Sequence, residues 1–124
     1  MSDDMKDFKI IHSYSRKQAI KDGVLVDISE TSEAKEAGFK VPVCVTHHLW
    51  AKIHATNSPW QVLRGHLWDV CTLAVLEFKN SRTEGKDCHL VPFKVQFYGD
   101  KEPVTLWLCF NEHEGFTIMF PEDY

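Results

Sequence analysis

The stretch Val91–Phe120, VPFKVQFYGDKEPVTLWLCFNEHEGFTIMF, decides the fold. Val91, Phe93, Val95 and Phe97 alternate with Pro92, Lys94, Gln96 and Tyr98, and Val104, Leu106, Leu108 and Phe110 alternate with Thr105, Trp107 and Cys109. Phe116, Ile118 and Phe120 repeat the pattern against Thr117 and Met119. A period of two puts each apolar set on one face of a pleated strand. The connections GDKEP and NEHEG have five residues each, too few for a crossover helix, so the three strands are predicted to form an antiparallel meander. The second face carries Tyr98, Trp107, Cys109 and Met119 and is less polar than usual, so it is either half covered by the short N-terminal helices or left exposed as a contact surface. Strand 115–120 or strand 90–98 is expected at a sheet edge, where pairing of two edges would make a homodimer.

Upstream, Asn80–Asp87 (NSRTEGKD) is a loop by composition. Before it, Leu67, Val70, Cys71, Ala74, Val75 and Phe78 recur at helical spacing, which predicts a central amphipathic helix over 66–80 as cover for the meander. Segment 57–65 reads both as a helix start at Ser58-Pro59 and as a turn at Gly65, and stays open. Thr46 can cap a helix over 46–55. Ser15-Arg16-Lys17-Gln18 has the form of a capping box and opens a short helix over 15–22, closed at Gly23. Val24–Ile28 reads as a short strand, and Thr31 or Ser32 caps a second short helix that stops at Gly38. Together these predict an α+β fold in two layers: the C-terminal meander, extended by strand 24–28, packed on helix 66–80, with the short helices around it.

The chain has 124 residues, which suits one domain, with 1–11 read as a flexible N-terminal segment. A formal charge of −4 is too weak for a nucleic-acid binder, and 44% apolar residues with fifteen aromatics exclude global disorder. No run approaches the ~20 apolar residues of a membrane span, and MSDDMKD lacks the basic and apolar regions of a signal peptide, so a cytoplasmic protein is expected. Cys44, Cys71, Cys88 and Cys109 form no C-x-x-C pair and sit in apolar stretches, as four reduced and mostly buried thiols.

No catalytic signature is found, and no catalytic residue, metal ligand or cofactor is assigned. His47 and His54 share a helix face, but ~10 Å of axial rise separates them, too far to hold one metal. Trp50, Trp60, Trp68 and Trp107 read first as core or core rim. Asp22, Asp27, Glu30 and Asp69 lie near element ends, where carboxylates serve as caps or gather into an acid–base pocket. Arg16, Lys17 and Lys21 make a small basic cluster that reads as a solvated face.

Tyr14–Asp27 (YSRKQAIKDGVLVD), Ser29–Thr31 through Glu36–Phe39, Pro42-Val43, Gly65–Val70 (GHLWDV) and Thr117–Pro121 read together as familiar. Over residues 12–121 the chain resembles a family of small bacterial proteins of unassigned function, found on plasmids, phages and other mobile elements. It departs from that pattern at His47-His48 and in a shorter segment before Gly65. The resemblance transfers no activity, cofactor or catalytic residue, and implies accessory work for a mobile element. The expected function is therefore a non-catalytic protein-interaction module, its partner a protein of the host or of the element. Its expected surface includes Tyr14, Asp22 and Asp27 in the N-terminal segment and Tyr98 and Trp107 on the second sheet face. The alternative is a small enzyme or ligand-binding protein whose acidic pocket is built from Asp22, Asp27, Glu30 and Asp69.

Overall fold

Ser15 Oγ accepts the Gln18 amide at 3.1 Å and starts α1 (Arg16–Lys21). The return half of the expected capping box is absent, because the Gln18 side chain instead donates to Asp22 Oδ1 at 2.9 Å. Strand β1 (Leu25–Asp27) follows, then α2 (Ser32–Ala37), whose cap is Thr31: its Oγ1 accepts the Ala34 amide at 3.2 Å. Gly38 closes α2 at φ +106, a left-handed conformation in which a side chain is strained. Strand β2 (Val43–Thr46) runs directly into α3 (His47–His54), capped by Thr46 Oγ1 on the Leu49 amide. The long helix α4 (Trp60–Thr83) leads to β3 (Leu90–Val95), β4 (Val104–Asn111), β5 (Gly115–Met119) and a closing 3-10 turn, Pro121–Asp123. The computed structural model describes residues 15–54, 60–85 and 89–124, with the backbone alone over 60–64. Residues 1–11, Tyr14 and Cys88 lie outside that set, as does the part of segment 57–65 before Trp60.

The fold is α+β, but its sheet has five strands in the order β1-β2-β5-β4-β3. The C-terminal strands pair antiparallel, Leu108 opposite Ile118 and Phe93 opposite Leu106. The sheet does not end there: β5 pairs in parallel with β2, with Val43 opposite Phe116 and Val45 opposite Ile118, and β1 pairs antiparallel with β2. Strand 24–28 thus joins the sheet through β2 and not through the meander. Strand β2 escaped the sequence reading because Val43-Cys44-Val45-Thr46 is buried on both faces and shows no alternation, which makes so short a run ambiguous by period. With β2 beside it, β5 is an interior strand, so of the two expected edges only β3 is one. Pro92 interrupts its amide row.

Helix α4 covers one face with Leu67, Val70, Cys71 and Ala74, packed on Val91, Phe93, Val95, Leu106, Leu108 and Ile118. It begins before Gly65 and ends after residue 80, so Gly65 is a helical residue and no turn. A mid-helix glycine costs only ~1 kcal/mol, which tertiary packing overrides. On the opposite face α1 lays Ala19 and Ile20 over Leu25 and Cys44. Met119 is fully buried there, and Trp107 is half-buried with its ring 5.5 Å from that of Tyr124. The second face is therefore partly covered by α1, the first of the two arrangements expected of it, with Trp107 and Cys109 half-buried.

Candidate functional site

Val75, Phe78, Lys79 and Arg82 fall at i, i+3, i+4 and i+7 and so share one face of α4. Together with the loop Gly38–Val41 and with Leu108, Phe110 and Phe116 of β4 and β5, they enclose a cleft of about 870 Å³, to which His89 and Glu112 complete the lining. That volume lies in the upper part of the ~300–1,000 Å³ typical of ligand pockets.

The floor is aromatic. Phe116 is buried at its hub, with Phe110 at 4.8 Å between ring centroids, Phe78 at 5.0 Å and Phe39 at 5.3 Å. Phe78 and Phe39 meet it edge-on, at interplanar angles of 89° and 65°. Aromatic contacts of this kind contribute ~0.5–1.5 kcal/mol each beyond the area they bury, so the floor is stiff. Phe39, Phe78 and Phe110 are only partly buried and present apolar surface to the cleft. The β2–β5 junction fixes the floor against the loop, because the Phe116 amide donates to the Pro42 carbonyl at 2.9 Å.

Around this floor the exposed basic lining residues are Lys40, Lys79, Arg82 and His89, and among the described residues Glu112 is the one lining carboxylate. Among the described residues no carboxylate lies within ion-pairing distance of Lys40, Lys79 or Arg82. The Arg82 guanidinium stands 5.9 Å from the Phe78 centroid. A chain of net charge −4 thus concentrates unpaired cations beside its apolar cleft. The arrangement can bury apolar groups on the phenylalanines while holding an acidic group at the mouth.

Among the described residues predicted from sequence, none of Asp22, Asp27, Glu30, Asp69, Tyr98 and Trp107 lines this cleft, and Tyr14 lies outside the described set. Asp22 is the C-cap of α1. Asp27 Oδ1 accepts the Ser29 amide at 2.9 Å, and Glu30 pairs with Lys35 at 3.3 Å in open solvent. Asp69 is half-buried on α4, on the other side of the sheet from Asp22, since α1 and α4 pack on opposite faces. The four carboxylates are therefore not brought together. Tyr98 is exposed in the turn after β3, where its amide donates to His66 Nε2 at 2.9 Å. Trp107 lies under Tyr124.

Histidine placement is local as well. His48 Nδ1 lies 2.9 Å from Asp123 Oδ1, His54 Nδ1 donates to the Trp50 carbonyl at 2.9 Å, and His66 is buried edge-on to Phe97. Among the described residues no three His, Cys, Asp or Glu side chains gather where they could share a metal. Cys44 and Cys71 are buried and Cys109 is half-buried, none in a disulfide. Burial pushes all three thiols up, Cys71 to about 12 and Cys109 to about 11.

The cleft residues were missed because they come from three distant segments. One signal was available: the apolar stripe of α4 continues from Val75 and Phe78 into Lys79 and Arg82, where a wholly core-facing stripe would have stayed apolar. The match to a known family covers residues 1–62, half of the chain. The chain belongs to DUF6573, a family of unknown function. In this DUF6573 member the matched half contains the cleft loop Gly38–Val41, and the aromatic floor and helical wall come mostly from the half beyond it. No curated protein and no solved structure matches the chain. No helix among the described residues is long and apolar enough to cross a membrane.

Proposed function

We propose that the chain is a non-catalytic protein-interaction module and that the cleft between α4 and the end of the sheet is its docking surface. One observation carries the reading: an aromatic floor of partly buried rings lies beside Lys40, Lys79 and Arg82, which have no carboxylate partner among the described residues. Unpaired charge beside exposed aromatic surface is what a recognition site presents, because both are satisfied when a complementary surface covers them. The apolar surface also extends to the lip, where Val41 is 43% exposed, and Leu76 is 50% exposed on the same helix as Lys79. A small ligand would have no use for such lips; a protein segment covers them. Accessory work in the bacterial cytoplasm for a mobile element, with a host or element-encoded partner, is the setting supported by the resemblance to plasmid- and phage-borne proteins.

Affinity capture with the whole chain tests this reading. Val41→Asp is expected to lose partners that the wild type retains, while Tyr98→Ala keeps them. Loss with Tyr98→Ala and retention with Val41→Asp would move the surface to the other side of the molecule.

A further inference from the structure

The cleft also limits what form its occupant can take. Its floor strands, β4 and β5, are both interior to the sheet, so their backbone groups are spent on neighbouring strands. An extended peptide therefore finds no edge to pair with, which removes strand addition. Proline-rich segments dock on aromatic grooves that also offer polar handles, and the rings here are phenylalanines, with no hydroxyl or indole N–H to donate. What remains is recognition by side chains alone, the mode of an amphipathic helix laid in a groove with anchors at i, i+3 or i+4, and i+7. The charge at the mouth sets the sign of the flanking residues: among the described residues, three cations without a carboxylate partner and one carboxylate call for Asp or Glu beside the anchors.

We infer that the cleft takes an acidic amphipathic helix of a partner protein, its apolar anchors on the Phe39, Phe78 and Phe110 floor and its carboxylates against Lys40, Lys79 and Arg82. This rests on the docking role proposed above and adds the chemistry of the partner segment.

Fluorescence anisotropy with the full chain tests it. The probe is a labelled helical peptide with leucine and phenylalanine anchors at i, i+4 and i+7 and glutamate at the flanking positions; its twin carries lysine at each glutamate. The acidic peptide is expected to bind, to bind about tenfold more weakly to the Lys79→Glu, Arg82→Glu double variant, and to weaken as salt rises. Both substitutions are on exposed side chains, so the fold is kept, and circular dichroism of the variant verifies that. The lysine twin should bind the wild type at least tenfold more weakly. Equal or tighter binding of the twin overturns the inference, and if Val41→Asp then abolishes binding of both peptides the docking role stands without the acidic partner. Failure of both peptides to bind at millimolar concentration overturns it as well. So does displacement of the acidic peptide by dodecanoate at a lower concentration than the peptide itself needs, which would make the occupant a small amphiphilic acid.

Discussion

Replacing Gly115 by alanine should cost far more than its size suggests. Gly115 sits at the start of β5 with φ +99, and a Cβ there would overlap the Pro42 carbonyl oxygen and stand 3.1 Å from its carbonyl carbon. Two penalties add. A side chain in the left-handed region costs ~1–2 kcal/mol. Relief of the overlap requires Pro42 to move away, which breaks the bond its carbonyl accepts from the Phe116 amide; an orphaned buried backbone group costs a further ~1–3 kcal/mol. The sum, ~2–5 kcal/mol, is a large share of the ~5–15 kcal/mol that holds an ordinary domain together. Gly38→Ala is the control, since φ is similar at +106 and no atom lies within 4 Å of the added Cβ. It should pay the backbone cost alone. In urea unfolding followed by tryptophan fluorescence, with a slope of ~1–3 kcal/mol per molar, the Gly115→Ala midpoint should fall by about 1–2 M, and Gly38→Ala by clearly less. Because Phe116 is the hub of the cleft floor and Pro42 follows the cleft loop, Gly115→Ala should also weaken binding in the cleft. Equal midpoint shifts in the two variants would refute the role given to the Pro42 contact.

Three further outcomes follow from the same geometry. Gly65→Ala, at a helical position with no atom within 4 Å of the new Cβ, should stabilise by ~1 kcal/mol and raise the melting temperature by about 3–5 °C; a lower melting temperature would contradict the helix through residue 65. Unfolded thiols ionise near 9.0, whereas folded Cys71 keeps its proton to about 12 and Cys109 to about 11, so the contribution of these two thiols to stability is steady well below pH 9 and falls above it as the unfolded chain loses protons that the folded chain retains. Between pH 8 and pH 10 the loss should be ~1.4 kcal/mol per thiol, and a Cys71→Ala, Cys109→Ala double variant should show a correspondingly flatter dependence in paired urea titrations. Asp123→Ala should cost ~1–3 kcal/mol in the same assay, because Asp123 accepts from Thr46 Oγ1 at 2.8 Å and from the Phe120 amide at 3.2 Å and meets His48; an unchanged midpoint would show that the C-terminal turn does not brace α3 and β2.

How much was legible follows from the range over which each feature acts. Ser15, Thr31 and Thr46 cap helices through bonds to residues three positions on, so local sequence announced all three starts. The strand pattern of 91–120 was equally plain, since alternation needs no knowledge of the partner strand. Strand β2 was hidden because its place between β1 and β5 depends on a parallel pairing with residues more than seventy positions away, and a run buried on both faces has no period to read. Ser81, Arg82 and Thr83 looked like loop by composition, yet they continue α4 and carry Arg82 to the cleft. Phe110 and Phe116 were rightly read as core-facing, but no pattern could show that Phe39 and Phe78 would meet them at the margin of the core, where burial is incomplete. The placement of the four carboxylates was hidden for a related reason: nearness in sequence to element ends does not say which face of the sheet each end lies on, and Asp22 and Asp69 fall on opposite ones.

A nitrogen-15 chemical-shift titration of the full chain with the acidic helical peptide locates the binding surface residue by residue. With the peptide seated in the cleft, the largest amide shifts are expected on Val41, Val75, Lys79, Arg82 and Glu112, with Tyr98 and Trp107 unmoved. Shifts gathered instead around Tyr98 and Trp107, or along Ser15–Asp27, with the cleft residues silent, would contradict the docking role of the cleft.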